Sequence, residues 1–174
     1  MKVKHRATLL IGKYPFHEVL KKEALSLLEN INPISSEYTH VKATHTEWNW
    51  QPNNLQVIKF KKYILNEIHT KCRYHYMGSG EPITPEMINF WGNVYFKGDY
   101  AECHHHLPFS ISFSYFLKTK WYDSPLVFND SGKRIRPKEG TYIIFPSFLA
   151  HKVTKVKSGT RYAVVGWVHG PTYK

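Results

Sequence analysis

From residue 88 onward the chain is cut into short runs of β-branched and aromatic residues by pairs that favour turns. The runs cover 88–96, 111–117, 126–129, 142–145, 151–156 and 161–168, and between them stand Gly98-Asp99, Ser124-Pro125, Ser131-Gly132, Glu139-Gly140 and Ser158-Gly159. Segments this short and this evenly punctuated predict an antiparallel sandwich or barrel. The first half reads differently. Val19, Leu20, Ala24, Leu27 and Leu28 recur at helical spacing over 17–30, and Asn30 and Pro33 supply a stop. Leu55, Ile58, Ile64, Leu65 and Ile68 form a second helical stripe over about 54–75, and the Thr-, Val- and Trp-rich stretch 38–50 between the two reads as a strand. Helices first and strands afterwards define an α+β class, with 1–80 as helical support for a β core over 85–170 in a single domain spanning 1–174.

Composition narrows the function classes. With 174 residues, 42% of them hydrophobic and 21% charged, the chain is long and apolar enough to bury a core. Cys72 and Cys103 are its two cysteines, which excludes a disulfide framework and a cysteine-based zinc finger. The apolar run at 7–11 is too short for a signal-peptide core, and no run nears the roughly 20 apolar residues of a membrane span. The expectation is a soluble, cytoplasmic protein. Lys plus Arg number 24 against 13 Asp plus Glu, a net charge of +11 that favours anionic partners: nucleic acid, an acidic protein or small carboxylates. Lys59, Lys61, Lys62, Lys71 and Arg73, with Lys133, Arg134, Arg136 and Lys138, are the candidate phosphate contacts, although such runs are ordinarily solvated faces.

Eleven histidines are the second unusual feature. His104 and His106 are two apart, so on an extended strand both imidazoles leave one face. His151, at the start of a later run, is the best third candidate. Two ligands close in sequence and one from a distant strand give a facial three-ligand site with open positions, suited to Fe, Zn, Ni or Cu. Arg161, Ala163, Val165 and Trp167 share one strand face, which sends the Arg161 charge among small and apolar neighbours, where it needs an anionic partner. Asn93 and Tyr95 share a face of an earlier strand. Ser110, Ser112 and Ser114 alternate with Ile111, Phe113 and Tyr115, as in a pocket lining or a half-exposed strand.

Read in order, Trp91-Gly92-Asn93-Val94, Gly98-Asp99-Tyr100, His104-His105-His106 and Ser112-Phe113-Ser114-Tyr115-Phe116-Leu117 follow one family pattern. Its second part is Pro137-Lys138-Glu139-Gly140 through Phe145-Pro146-Ser147-Phe148-Leu149-Ala150-His151-Lys152-Val153, then Gly159-Thr160-Arg161-Tyr162-Ala163. The ensemble, over residues 88–168, resembles the small 2-oxoglutarate/Fe(II)-dependent oxygenases of phages and bacteria, which are prolyl-hydroxylase-like. The resemblance implies a double-stranded β-helix (jelly-roll). It implies Fe(II) held by His104, His106 and His151, with 2-oxoglutarate and O2 as cosubstrates of a hydroxylase whose primary substrate is open. Arg161 would then pair with the distal carboxylate of 2-oxoglutarate, and Asn93 and Tyr95 would face the keto-acid end or the substrate. The chain departs from the common pattern in three places. Position 106 is His where the usual triad has a carboxylate, with Asp99 or Glu102 as substitutes in a shifted register. Ala163 and Phe116 stand where relatives often carry hydroxyls, and Leu107 separates His106 from Pro108. Two alternatives stand beside the oxygenase: a cupin-like three-histidine metal enzyme that does not use 2-oxoglutarate, and a basic nucleic-acid-binding module.

Overall fold

The computed structural model describes residues 7–31, 39–72, 85–120 and 122–169. Arg73, His75 and the start of the 38–50 stretch lie outside the described residues. In chain order the elements are β1 (Leu10–Lys13), α1 (His17–Leu28), β2 (Val41–Lys42), β3 (Thr44–His45), α2 (Leu55–Lys71), β4 (Glu86–Tyr95), β5 (Tyr100–His104), β6 (Ile111–Lys118), β7 (Leu126–Phe128), β8 (Arg134–Ile135), β9 (Thr141–Pro146), β10 (His151–Val153) and β11 (Arg161–His169). They form a large sheet, β1-β9-β6-β11-β4-β3, and a small one, β2-β5-β10-β7-β8, antiparallel throughout both ladders. The expected α+β architecture is present. The first half is more than helical support, however, since β1, β2 and β3 add edge strands to both sheets.

Period-2 alternation gives the large sheet two different faces. Ile111, Phe113, Tyr115 and Leu117 of β6, Tyr142 and Ile144 of β9, and Phe90 and Val94 of β4 pack under the helices with Leu20, Ala24, Leu28, Phe60 and Ile64. Phe116, Ile143, Phe145 and Tyr95 point the other way, into the space between the sheets, with Val41, Ala101, Leu126, Phe128 and Val153 of the small sheet. The alternating β6 serines lie on this inner face. The helices cover the opposite face, so β6 is buried on both sides rather than half-exposed.

Both helices are fixed by identifiable groups. The Asn54 side chain caps α2 by accepting from the backbone N–H of Gln56 at 3.0 Å and Val57 at 3.2 Å. Tyr142 bonds Glu67 of α2, Glu139 pairs with Lys21 of α1, and the Tyr115 hydroxyl lies 2.6 Å from His17 Nδ1. At Gly92 a Cβ would come within 2.3 Å of Leu28 Cδ2, so the glycine lets α1 sit directly on β4. The segment 41–45 pairs first with β5 and then with β4, crossing from the small sheet to the large one at Ala43 and closing one side of the sandwich.

Candidate metal centre

The inner space narrows toward three histidines from three parts of the chain. His104 is the last residue of β5, His151 is the first of β10, and the two are register partners. Between the pairs His151–His104 and Val153–Ala101, β5 has one residue more than β10. This bulge absorbs the extra residue, so Ala101 and His104, three apart, both face inward. His106 lies beyond the strand end. His104 and His106 therefore do not share a strand face as their spacing predicts: His106 is held by its own N–H, which donates to the Ser147 carbonyl at 2.8 Å.

The metal-ligating atoms of His104, His106 and His151 all lie within 4.8 Å of one another. His104 Nδ1 is 2.7 Å from the Glu102 carbonyl and His151 Nδ1 is 2.8 Å from the Leu149 carbonyl. A carbonyl only accepts, so each of these rings is protonated at Nδ1 and keeps a lone pair on Nε2. His106 Nδ1 meets the Ser112 hydroxyl at 2.7 Å, and Ser112 Oγ is 2.7 Å from Ser147 Oγ. Burial is the main cause that lowers all three imidazoles below their ordinary range, with the neighbouring rings adding to it; His151 falls to about 4 and His106 to about 2. All three are neutral at neutral pH, the form that binds a cation.

Neither acidic substitute joins them. The Asp99 carboxylate accepts the Phe96 N–H at 2.8 Å, and the exposed Glu102 carboxylate lies 3.4 Å from His40 Nδ1. Among the described residues the metal-competent group is His104, His106 and His151.

The cavity beside them is lined by the inner faces of β4, β6 and β11, where Tyr95 pairs with Arg161, Asn93 with Ala163, and Trp91 with Val165. Arg161 is wholly buried between the rings of Tyr95 and Phe116, its Cζ 5.3 Å from each centroid. Its Nη1 donates to the Ser124 carbonyl at 2.7 Å. Its Nε and Nη2, which form one edge of the guanidinium, have no partner among the described residues. Burial pulls its pKa down, while an arginine stays charged in proteins. A full positive charge thus presents a free two-donor edge at the cavity, the geometry that grips a carboxylate. The Asn93 carbonyl oxygen accepts from Trp91 Nε1 at 3.1 Å, and the Tyr95 phenol lines the same wall. Tyr95 brings a hydroxyl beside the arginine from β4, where Ala163 and Phe116 bring none.

The Ser112–Ser147 pair behind His106 and the Ser124 carbonyl behind Arg161 were not legible as supports. The alternation of β6 marked Ser112 as a lining residue, but nothing in sequence links it to Ser147, 35 positions away. Of the basic residues considered for phosphate contact, Lys71 is bonded to Glu67 and Lys61 lies over the Phe90 ring.

Three comparisons bear on this geometry. Residues 90–169 match the model of the 2OG-Fe(II) oxygenase superfamily, a segment containing all three histidines and Arg161. No curated protein sequence matches the chain. Among solved structures, a viral collagen prolyl hydroxylase from Paramecium bursaria Chlorella virus-1, in complex with 2OG, is similar with a TM-score of 0.67 at 15% identity, covering 91% of this chain and 94% of that one. A Pseudomonas putida prolyl-4-hydroxylase gives 0.69 at 13% identity, with 95% and 94% covered. A Trichoplax adhaerens prolyl hydroxylase bound to a hypoxia inducible factor peptide fragment gives 0.68 at 13%, with 92% and 83% covered. At these identities the likeness is one of fold, the double-stranded β-helix. The nucleic-acid expectation gains no support from them. No described helix is long and apolar enough to cross a membrane.

Proposed function

We propose that the 2OG-Fe(II) oxygenase domain of this chain is a hydroxylase in which His104, His106 and His151 hold Fe(II) and Arg161 binds the distal carboxylate of 2-oxoglutarate. The family is one of dioxygenases working with Fe(II), 2-oxoglutarate and O2. The observation that carries the reading is the free Nε–Nη2 edge of the wholly buried Arg161. A buried guanidinium with two unpaired donors is costly even with the Asp123 charge acting on it, and an anion completes it. A three-histidine enzyme that does not use the keto acid leaves that edge without a purpose.

The donor set fits a divalent first-row metal. Three neutral imidazoles with two Nδ1–H groups tied to carbonyls offer convergent Nε2 lone pairs, the usual outer support of histidine ligands. Because no carboxylate among the described residues joins them, the three imidazoles leave the charge of the cation uncompensated, and a dianionic keto acid supplies what they do not. When bound, Fe(II) and 2-oxoglutarate provide the oxidising power, one atom of O2 passing to succinate and the other to the substrate.

The residues of the chain do the rest. Arg161 orients the keto acid by a bidentate grip, held in plane by the Ser124 carbonyl and the flanking Tyr95 and Phe116 rings. Ala163, between Arg161 and Val165 on the inner face of β11, leaves room for the carbon chain of the acid. Asn93 and Tyr95 contribute polar groups along the same wall. The apolar lining from Val41, Leu126, Phe145 and Val153 keeps water away from the reacting centre. Peptidyl side chains are the first substrate class to screen, since the similar structures are prolyl hydroxylases and one of them holds a peptide.

Anaerobic titration of Fe(II)-loaded protein with 2-oxoglutarate tests this directly. The chelate should give a visible charge-transfer band, which Arg161→Ala weakens to much higher ligand concentration and Arg161→Lys restores only in part. A band formed equally well by Arg161→Ala removes the assignment of Arg161. Metal binding with no band removes the keto acid.

A further inference from the structure

Three of the five tryptophans stand in one line that starts at a candidate metal ligand. The His106 and Trp167 rings lie 5.0 Å apart, centroid to centroid, and inclined by 32°. Trp167 meets Trp91 edge-to-face at 5.1 Å, and Trp91 meets Trp48 edge-to-face at 4.9 Å. Beyond it Trp48 stacks on His45 at 4.3 Å. Every step is a van der Waals contact between rings.

The indole N–H groups along this line differ in what they can do. That of Trp167 is buried without a partner among the described residues, none of which takes a proton from it. That of Trp91 is held by the Asn93 side-chain carbonyl, a poor base, inside a ring that is 3% exposed. Trp48 is half-buried, and its N–H is neither enclosed nor held by any other described residue. An oxidised indole becomes strongly acidic. Of the three, Trp48 is therefore where charge entering the line is fixed by loss of a proton to water.

We propose that Trp167, Trp91 and Trp48 form an electron relay that discharges oxidant generated at the metal when no substrate is present. The proposal rests on the reading of His104, His106 and His151 as Fe(II) ligands. Fe(II), when bound with 2-oxoglutarate and O2, would supply an oxidant two electrons above Fe(II); Trp167 would give up one electron to it, which Trp91 and then Trp48 replace, leaving the metal at the Fe(III) level. Trp48 loses that electron and its Nε1 proton to solvent, becoming a neutral indolyl radical. A small-molecule reductant such as ascorbate closes the balance in two one-electron steps: one electron and one proton restore the Trp48 indole, and a second electron would return the metal from Fe(III) to Fe(II), the oxygen atom leaving with two solvent protons as water. Electron transfer falls steeply with distance, so contacting rings divide one long jump into short ones. The arrangement spares the ligands themselves, since excluding side reactions is the task the protein performs around a reactive cofactor.

The experiment exposes Fe(II)-loaded protein to 2-oxoglutarate and O2 without a second substrate and with catalase present. Oxygen addition is mapped by peptide mass spectrometry, and radicals are trapped by freeze-quench electron paramagnetic resonance. The expected result is an indolyl radical and oxidation concentrated at Trp48. In Trp91→Phe, Trp48 oxidation should fall at least tenfold and damage should move to Trp167. In Trp48→Phe, whose side chain is only half-buried, oxidation should move to Trp91 and Trp167, which decides the matter where Trp91→Phe does not fold. Trp48 oxidation unchanged in Trp91→Phe, or no tryptophan oxidation in a protein that forms the charge-transfer band, overturns the relay alone. Absence of the band overturns the relay together with the Fe(II) and 2-oxoglutarate reading.

Discussion

His106 Nδ1 lies 2.7 Å from the Ser112 hydroxyl, whereas His104 and His151 rest on backbone carbonyls. Two rings of the trio are therefore oriented by groups that no substitution removes, and the third by a side chain. Ser112→Ala should weaken metal binding roughly 10–100-fold, the usual effect of losing the support behind a histidine ligand. Calorimetric titration with Zn(II) or Co(II) measures it. Ser147→Ala should have a smaller effect in the same direction, because it removes only the second hydroxyl of the chain.

Arg161→Met separates folding from ligand binding. The arginine is wholly buried, and no carboxylate pairs with it among the described residues. An apolar side chain of similar length should leave the melting temperature of the unliganded protein unchanged or higher. The stabilisation by 2-oxoglutarate of the metal-loaded protein should vanish, where an intact site at about 100-fold excess over Kd gains about 2.7 kcal/mol. Thermal unfolding with and without the acid reads both effects. A variant that melts lower yet keeps the ligand shift contradicts the assignment.

Acid should loosen the attachment of α1. Burial pushes the Glu139 carboxyl up, but bonds from Lys21 and the Thr119 N–H, with the His17 ring 3.6 Å away, outweigh it and hold the group below its ordinary 4.5. Its folded pKa is thus below its unfolded one. The contribution is complete above the unfolded value and is lost as pH falls through the folded one. Stability measured by denaturant between pH 6 and pH 3, on the order of the carboxylate range, should fall less steeply in Glu139→Gln than in the parent protein.

Phe60 is completely buried where α2 meets the large sheet, with Tyr14, Phe90, Phe113 and Tyr115 around it. Phe60→Ala should destabilise the fold by about 3–5 kcal/mol through lost burial and an unfilled cavity. Urea unfolding gives the number. Gly92→Ala tests the same interface from the other side. The added methyl would meet Leu28, at a cost of about 1–3 kcal/mol if α1 shifts to receive it.

The strands that carry long β-branched and aromatic runs, β4, β6, β9 and β11, were legible within a residue or two of their ends. So was α1, since its buried positions Leu20, Ala24 and Leu28 repeat every fourth residue. Elements without a packed face of their own were not: β1 has the burial alternation of an edge, β8 has two residues, and β2 and β3 split one expected strand between two sheets. In the site, spacing drew attention to His104, His106, His151 and Arg161. Their supports are long-range or backbone groups, the Ser147 hydroxyl and the Glu102, Leu149 and Ser124 carbonyls, and a carbonyl carries no signature in sequence. The order of the tryptophans along their line, 167, 91, 48, likewise follows the neighbours β11 and β4 rather than the chain.

The bulge in β5 also says where the length of the chain is free. The ladder from Val153 to His151 needs one residue between Ala101 and His104, and the chain has two, Glu102 and Cys103. Deleting the exposed Cys103 would remove the surplus and leave a regular strand with His104 still facing inward. Adding a further residue would carry the imidazole a full pleat out of register with His151. The length of β5 ahead of His104 is thus tolerant in one direction and strict in the other. A relative one residue shorter at this point can present the same three rings.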